Sequence, residues 1–71
     1  MSNIEVHSND SKTRIKVHRR EDGLYELHVF KLRFDYDEGV EYISPDGRND
    51  LGLFADEVIA KENAERLVNL I

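Results

Sequence analysis

The sequence predicts an α+β fold: a three- to four-stranded antiparallel β-meander packed against one C-terminal α-helix, in the order β-β-β-α. Three observations predict it. Apolar and polar residues alternate through 12–20 and, with one slip after Val29, through 24–36, the period of a half-buried strand. Acidic-glycine turns, Asp22-Gly23 and Glu38-Gly39, separate these runs at hairpin spacing. After Phe54 the period becomes helical, with Ala60, Ala64, Leu67, Val68 and Ile71 on one stripe. An all-β reading fails on that stripe, and an all-α reading fails on the alternation.

The first segment, Met1 to Ser11, is weakly ordered or a short edge strand. Ile4 and Val6 alternate with Glu5 and His7, and Ser8-Asn9-Asp10-Ser11 reads as a turn. In 12–20, Ile15 and Val17 point one way. Lys12, Arg14, Lys16, His18 and Arg20 point the other way. Pairing around Asp22-Gly23 sets Val17 opposite Leu27 and Ile15 opposite Val29 as a core face. Lys16, His18, Glu26 and His28 then share the outer face.

The long second run, Leu24 to about Tyr36, slips after Val29. Phe30, Leu32, Phe34 and Tyr36 become the apolar positions, and a change of parity moves side chains to the opposite face. A β-bulge between Val29 and Lys31 is the expected solution, returning Leu32, Phe34 and Tyr36 to the core side. The alternative is a sheet apolar on both faces, one of which needs a partner. Asp37-Glu38-Gly39 turns the chain into a third strand, Val40 to Ser44, with Phe34 expected opposite Tyr42 and Tyr36 opposite Val40. The long strand is therefore central. Pro45-Asp46-Gly47 ends the third strand, and Arg48-Asn49-Asp50 continues the loop. Leu51 to Phe54 is a short extended piece, and Asp56 is the expected helix N-cap. The chain is one domain, residues 1–71, with the sheet over 12–54 and the helix over 56–71.

The junction Gly52-x-Phe54-x-Asp56, followed by Ala60, Ala64 and Leu67, resembles the ending of small sheet-plus-helix domains. It is similar to the plant ethylene-response-factor type of DNA-binding domain and to the amino-terminal arm-binding domain of phage tyrosine recombinases. The resemblance covers about 20 residues and implies three antiparallel strands on a helix, with a free sheet face that docks in the DNA major groove. The shared residues follow a packing logic: glycine for close approach, Phe for the core, Asp for the cap, Ala for the helix–sheet contact. Those families tend to be basic, whereas this chain carries a formal net charge of -5. The likeness therefore bears on fold, and no functional residue is carried over from it.

Composition excludes several function classes. There is no cysteine, hence no disulfide, thiolate metal site or cysteine nucleophile. No glycine-rich phosphate loop or nucleophile elbow is present. A meander of 71 residues has little capacity for a deep, water-excluding pocket. The expectation is a non-enzyme with no cofactor, no metal and no small-molecule substrate. No apolar run reaches a membrane span, and the polar start carries no secretory signal. A cytoplasmic compartment and a prokaryotic or phage origin are expected. A domain this small has a thin core, with stability of about 3–5 kcal/mol, so association with a partner or with itself is a natural supplement.

Charge is polarised along the chain. Residues 1–33 sum to +2 and residues 34–71 to -7. Lys12, Arg14, Lys16, His18 and Arg20 form a basic stripe, with neighbours about 6.5–7 Å apart. Such a stripe suits an anionic partner or a solvated strand whose lysines discourage edge pairing. Asp35, Asp37 and Glu38 gather at the second hairpin. They suit plain solubility, or an acidic surface that imitates DNA; their spacing is unlike a calcium loop. If the bulge holds, Phe30 is left outward beside the basic stripe, as an interface anchor. The function expected is a small interaction module that binds a protein or itself as a homodimer. The alternatives are a nucleic-acid-binding domain using the basic stripe, or an acidic DNA-mimic inhibitor.

Overall fold

The computed structural model describes residues 4–46 and 51–71. The turn expected at Pro45-Asp46-Gly47 and the loop through Asp50 therefore fall in part outside the described residues, as do Met1 to Asn3. The strands are β1 (Glu5–His7), β2 (Thr13–Arg19), β3 (Tyr25–Asp35), β4 (Val40–Pro45) and β5 (Leu53–Phe54), followed by the helix α1 (Glu57–Leu67). The sheet order is β1-β2-β3-β4, antiparallel throughout, with β5 beside the start of β3. This is the meander with one C-terminal helix that the alternation and the stripe predict.

The first hairpin has the expected register. Ile15 pairs with Val29 and Val17 with Leu27. Gly23 at its turn has φ +84°, a conformation glycine adopts without a Cβ penalty. These four side chains are 0–4% exposed and meet Ala60, Ala64 and Val68 of the helix. The small alanines, both 0% exposed, let the helix backbone lie close to the sheet. Ile4, Val6, Tyr25, Leu51, Phe54, Leu67 and Ile71 pack around this cluster. The short edge strand expected near the start is present as Glu5–His7, and its Val6 lies opposite Ile15.

Asp56 caps the helix as expected. Its carboxylate accepts from Val58 N–H at 2.7 Å and from Ile59 N–H at 3.3 Å. The helix ends at Leu67, short of the chain end: Leu70 and Ile71 N–H both donate to the Leu67 carbonyl in a closing turn. Gly52 sits at φ +90°, and a Cβ placed there would meet Phe54 only at an ordinary 3.9 Å. Its glycine is required by the backbone conformation rather than by the close approach that the junction's packing logic implied.

The second half of the sheet departs from expectation in two ways. No bulge interrupts β3. Its pairing with β2 runs one to one as far as Thr13 opposite Lys31, and Leu32 N–H donates to Lys12 O at 2.8 Å. A bulge would need one extra unpaired residue here, and 29–31 holds no glycine to ease one. Leu32 and Phe34 therefore stay on the outer face with Phe30, and the sheet is apolar on both sides.

The second hairpin also closes one residue earlier. Phe34 pairs with Glu41, Arg33 with Tyr42 and Asp35 with Val40, in place of Phe34 with Tyr42 and Tyr36 with Val40. The turn takes four residues, 36–39, because Asp35 organises it. Its carboxylate accepts from Asp37 and Glu38 N–H at 2.9 and 3.3 Å, and its carbonyl accepts from Gly39 N–H at 2.7 Å. Tyr36 is thereby drawn out of the strand and is 88% exposed, its ring edge-on to Phe34 at 4.9 Å.

The helix contacts β1, β2, β3 and β5, and β4 contacts only β3 among the described elements. Past Leu32, where β2 ends, β3 and β4 continue as a two-stranded arm, Arg33 to Asp35 against Tyr42 to Val40, that projects past the core. The molecule is correspondingly elongated, 42 × 24 × 21 Å.

Candidate interaction surface

Strand alternation and register assemble the outer face. From β1 come Glu5 and His7, and from β2 Arg14, Lys16 and His18. From β3 come Glu26, His28, Phe30, Leu32 and Phe34, and from β4 Glu41 and Ile43. No helix covers it. Three of the five predicted basic residues, Arg14, Lys16 and His18, lie within β2 on this face. Lys12 and Arg20 continue the parity just beyond the strand ends, and Arg20 is paired to Asp22 at 3.2 Å.

The stripe is closely neutralised. Glu5 sits opposite Lys16, with its carboxylate 3.5 Å from Arg14 Nη1, 3.9 Å from Lys16 Nζ and 3.0 Å from His7 Nε2. Glu26 sits 3.0 Å from His28 Nε2. That hydrogen bond holds the Glu26 carboxyl below its ordinary value, against the opposing effect of burial, and charge at His28, Arg20 and His18 adds to the lowering. The His18 and His28 rings lie 5.0 Å apart. Exposed pairs of this kind are individually worth little, yet together they leave this face close to neutral.

Phe30 faces outward, half-buried, with Lys16 Nζ 5.6 Å from its ring centroid, within cation–π range. It does so by straight alternation rather than by a bulge. Beside it stand Leu32, half-buried, Ile43 directly opposite Leu32, and Phe34 further along the arm. Phe34 and Ile43 are each 46% exposed. The bulge favoured from the sequence would have placed Leu32 and Phe34 in the core; the structure takes the alternative, a sheet apolar on both faces. The signal was present: Phe30, Leu32 and Phe34 have the same parity as Lys16's partner His28. Glu5 was missed because the β1 register has no turn of fixed type to set it.

The acidic residues predicted at the second hairpin, Asp35, Asp37 and Glu38, do not join this surface. Asp35 has the opposite parity, lying across from Val40, and its carboxylate is occupied in the turn. Asp37 and Glu38 are exposed at the tip, beyond the arm's apolar patch. On the arm's other face lie Arg33 opposite Tyr42 and Lys31 opposite Ser44. Among the described residues, no three His, Asp or Glu side chains converge to hold a metal ion, and no helix is long and apolar enough to cross a membrane.

Comparison of the chain with protein-family models, with curated proteins and with solved structures finds no match.

Proposed function

We propose that this protein is a non-enzymatic, cytoplasmic interaction module that binds a partner protein through the outer face of its sheet. One observation carries the reading: Phe30, Leu32, Phe34 and Ile43 stand together on the face that the helix does not cover. Contiguous exposed apolar groups rimmed by charge are the usual mark of a protein interface. Phe30 is the anchor, partly desolvated beneath the Lys16 ammonium. The mixed and nearly balanced charges around it favour a protein surface of mixed charge over a polyanion.

The test uses immobilised protein exposed to a bacterial cytosolic extract, with bound proteins identified by mass spectrometry. A Leu32→Asp/Ile43→Asp variant and an Asp37→Lys tip variant are run alongside, each checked for folding by circular dichroism. The reading requires a protein held by the wild type and the tip variant and lost by the apolar-to-acid variant. Equal retention by all three defeats it.

A second reading, single-stranded nucleic acid, is favoured by one specific observation. Phe30 and Phe34 lie on the same face as Arg14, Lys16 and His18, and aromatic side chains within a basic sheet face can stack bases. Glu5, Glu26 and Glu41 on that face weaken it, because they repel phosphate where counterion release should provide affinity.

A further inference from the structure

Two observations concern the edge of β4 rather than its face. The first is the direction of its hydrogen bonds. Asp46 N–H donates to Val29 O at 2.9 Å, so the even-numbered residues of β4 point their backbone groups at β3. The N–H and C=O of Glu41 and Ile43 therefore point away from β3, along a free edge among the described strands. Pro45 shares that direction and has no N–H to offer. The second observation is that the end of the sheet, Arg33 to Asp35 with Tyr42 to Val40, is two-stranded and β4 has no helix contact, and such a ribbon is marginal on its own.

We propose that β4 is a self-pairing edge: two copies join their β4 strands antiparallel about a two-fold axis at Tyr42, making one continuous sheet. The register follows from the residues. Centred on Tyr42, Glu41 pairs with Ile43 of the second copy and Ile43 with its Glu41, each exchanging two backbone hydrogen bonds. Every outward N–H of the strand is then satisfied, and Pro45 falls outside the bonded pairs. Centring on Glu41 would oppose two carboxylates, and centring on Ile43 would set Pro45 against Glu41 and lose bonds. At the axis, the two Tyr42 residues form the close, non-hydrogen-bonded pair, with Arg33 flanking each Tyr42 on its own β3. The arm becomes the middle of a four-stranded region, and the apolar outer faces of both copies become continuous.

The arrangement closes on itself, since each β4 edge is consumed by the other. One short strand buries far less than the roughly 1,600 Å² of a standard interface. The dimer is accordingly reversible and concentration-dependent. Edge pairing is separate from the proposed face binding, and either can hold without the other.

Light scattering and sedimentation over a dilution series test it, with the wild type beside Ile43→Pro and Glu41→Pro. Each proline removes an outward N–H that β3 does not use. The expected result is a mass rising toward twice 8.3 kDa for the wild type and staying single for both variants, with unchanged circular dichroism. If either proline variant unfolds, Tyr42→Cys decides. The chain has no other cysteine, and the axial pair, with Cα atoms about 4.5 Å apart, is within disulfide reach. Tyr42→Cys should then oxidise to a covalent dimer, while Val40→Cys and Ser44→Cys should not, because each faces the other residue across the axis. A wild type that remains monomeric at the highest attainable concentration overturns the proposal. So does a dimer that survives in folded proline variants, or equal oxidation of all three cysteine variants. A monomer that still loses its captured partner on Leu32→Asp/Ile43→Asp would leave the face reading intact.

Discussion

Val29 and Phe30 are adjacent in β3 and face opposite sides of the sheet: Val29 is 4% exposed beneath the helix, and Phe30 lies under the Lys16 ammonium on the uncovered side. That reversal persists along the rest of the strand, because the ladder runs through it without an extra residue. On the helix side the core ends at Val29, since Arg33, Tyr42 and Val40 of the same parity are exposed, and from Phe30 onward the other parity is uncovered surface.

Stability should respect this division. Ile15 is fully buried, and Ile15→Ala should cost about 2–5 kcal/mol, comparable to the whole stability of about 3–5 kcal/mol for a domain of this size. Phe34→Ser, on the exposed arm, should change stability by no more than about 0.5 kcal/mol. Urea unfolding followed by circular dichroism measures both. A bulged strand with Phe34 in the core would instead make Phe34→Ser as damaging as Ile15→Ala.

The helix depends on its cap. Asp56 satisfies two of the otherwise unpaired N–H groups of the first turn. Asp56→Ala should lower stability by about 1 kcal/mol, and Asp56→Ser should restore most of it. Thermal melts of the three proteins give the comparison; no difference between Asp56→Ala and wild type would mean the cap is not formed in solution.

The β1–β2 turn should be acid-sensitive. Ser8 Oγ donates to Asp10 at 2.6 Å and Lys12 N–H donates to it at 3.0 Å, while Ser8 Oγ in turn accepts from the buried Thr13 N–H. The Ser8 hydrogen bond, then that from Lys12, holds the Asp10 carboxyl below its ordinary value of 3.8. A carboxyl depressed in the folded state stabilises above its unfolded pKa, and that contribution disappears as pH falls through the lowered native value. Stability should therefore decline as pH falls toward 3.8 and on through the lowered native value, with β1 amides losing hydrogen-exchange protection first. Asp10→Asn should flatten Asp10's part of that decline, and an unchanged acid limb would count against this account.

Glu5 should govern how anionic partners see the sheet. Removing its charge frees Arg14 and Lys16 together. If the stripe binds polyanions, Glu5→Gln should delay elution from heparin and tighten binding to a single-stranded oligonucleotide at low salt. The salt slope should steepen by about 0.7 for each cation that gains a phosphate. Identical elution of the two proteins would remove the nucleic-acid reading.

Much of this was legible in the chain. Single alternation and Asp22-Gly23 suffice for the first hairpin, because a short turn allows few registers and one face must be buried. Ala60, Ala64 and Val68 name the helix face, and Asp56 its start, since both follow from local period and backbone valence. The outer basic face followed from the same parity.

Tertiary structure decided what lies beyond Val29. A strand that changes its apolar parity can be repaired by a bulge or left with two apolar faces, and local sequence permits both. The outcome depends on how far the helix reaches. Its eleven residues, Glu57–Leu67, do not contact β4, so inward placement of Leu32 and Phe34 would bury them against nothing, and a bulge would lose ladder hydrogen bonds with no compensating contact. The Asp35-centred turn then set the second register, through hydrogen bonds to Asp37, Glu38 and Gly39 that competed with the pairing of Tyr36. Residue pattern determined the meander, the helix and the core; the length of the helix relative to the sheet determined which apolar side chains were left facing water.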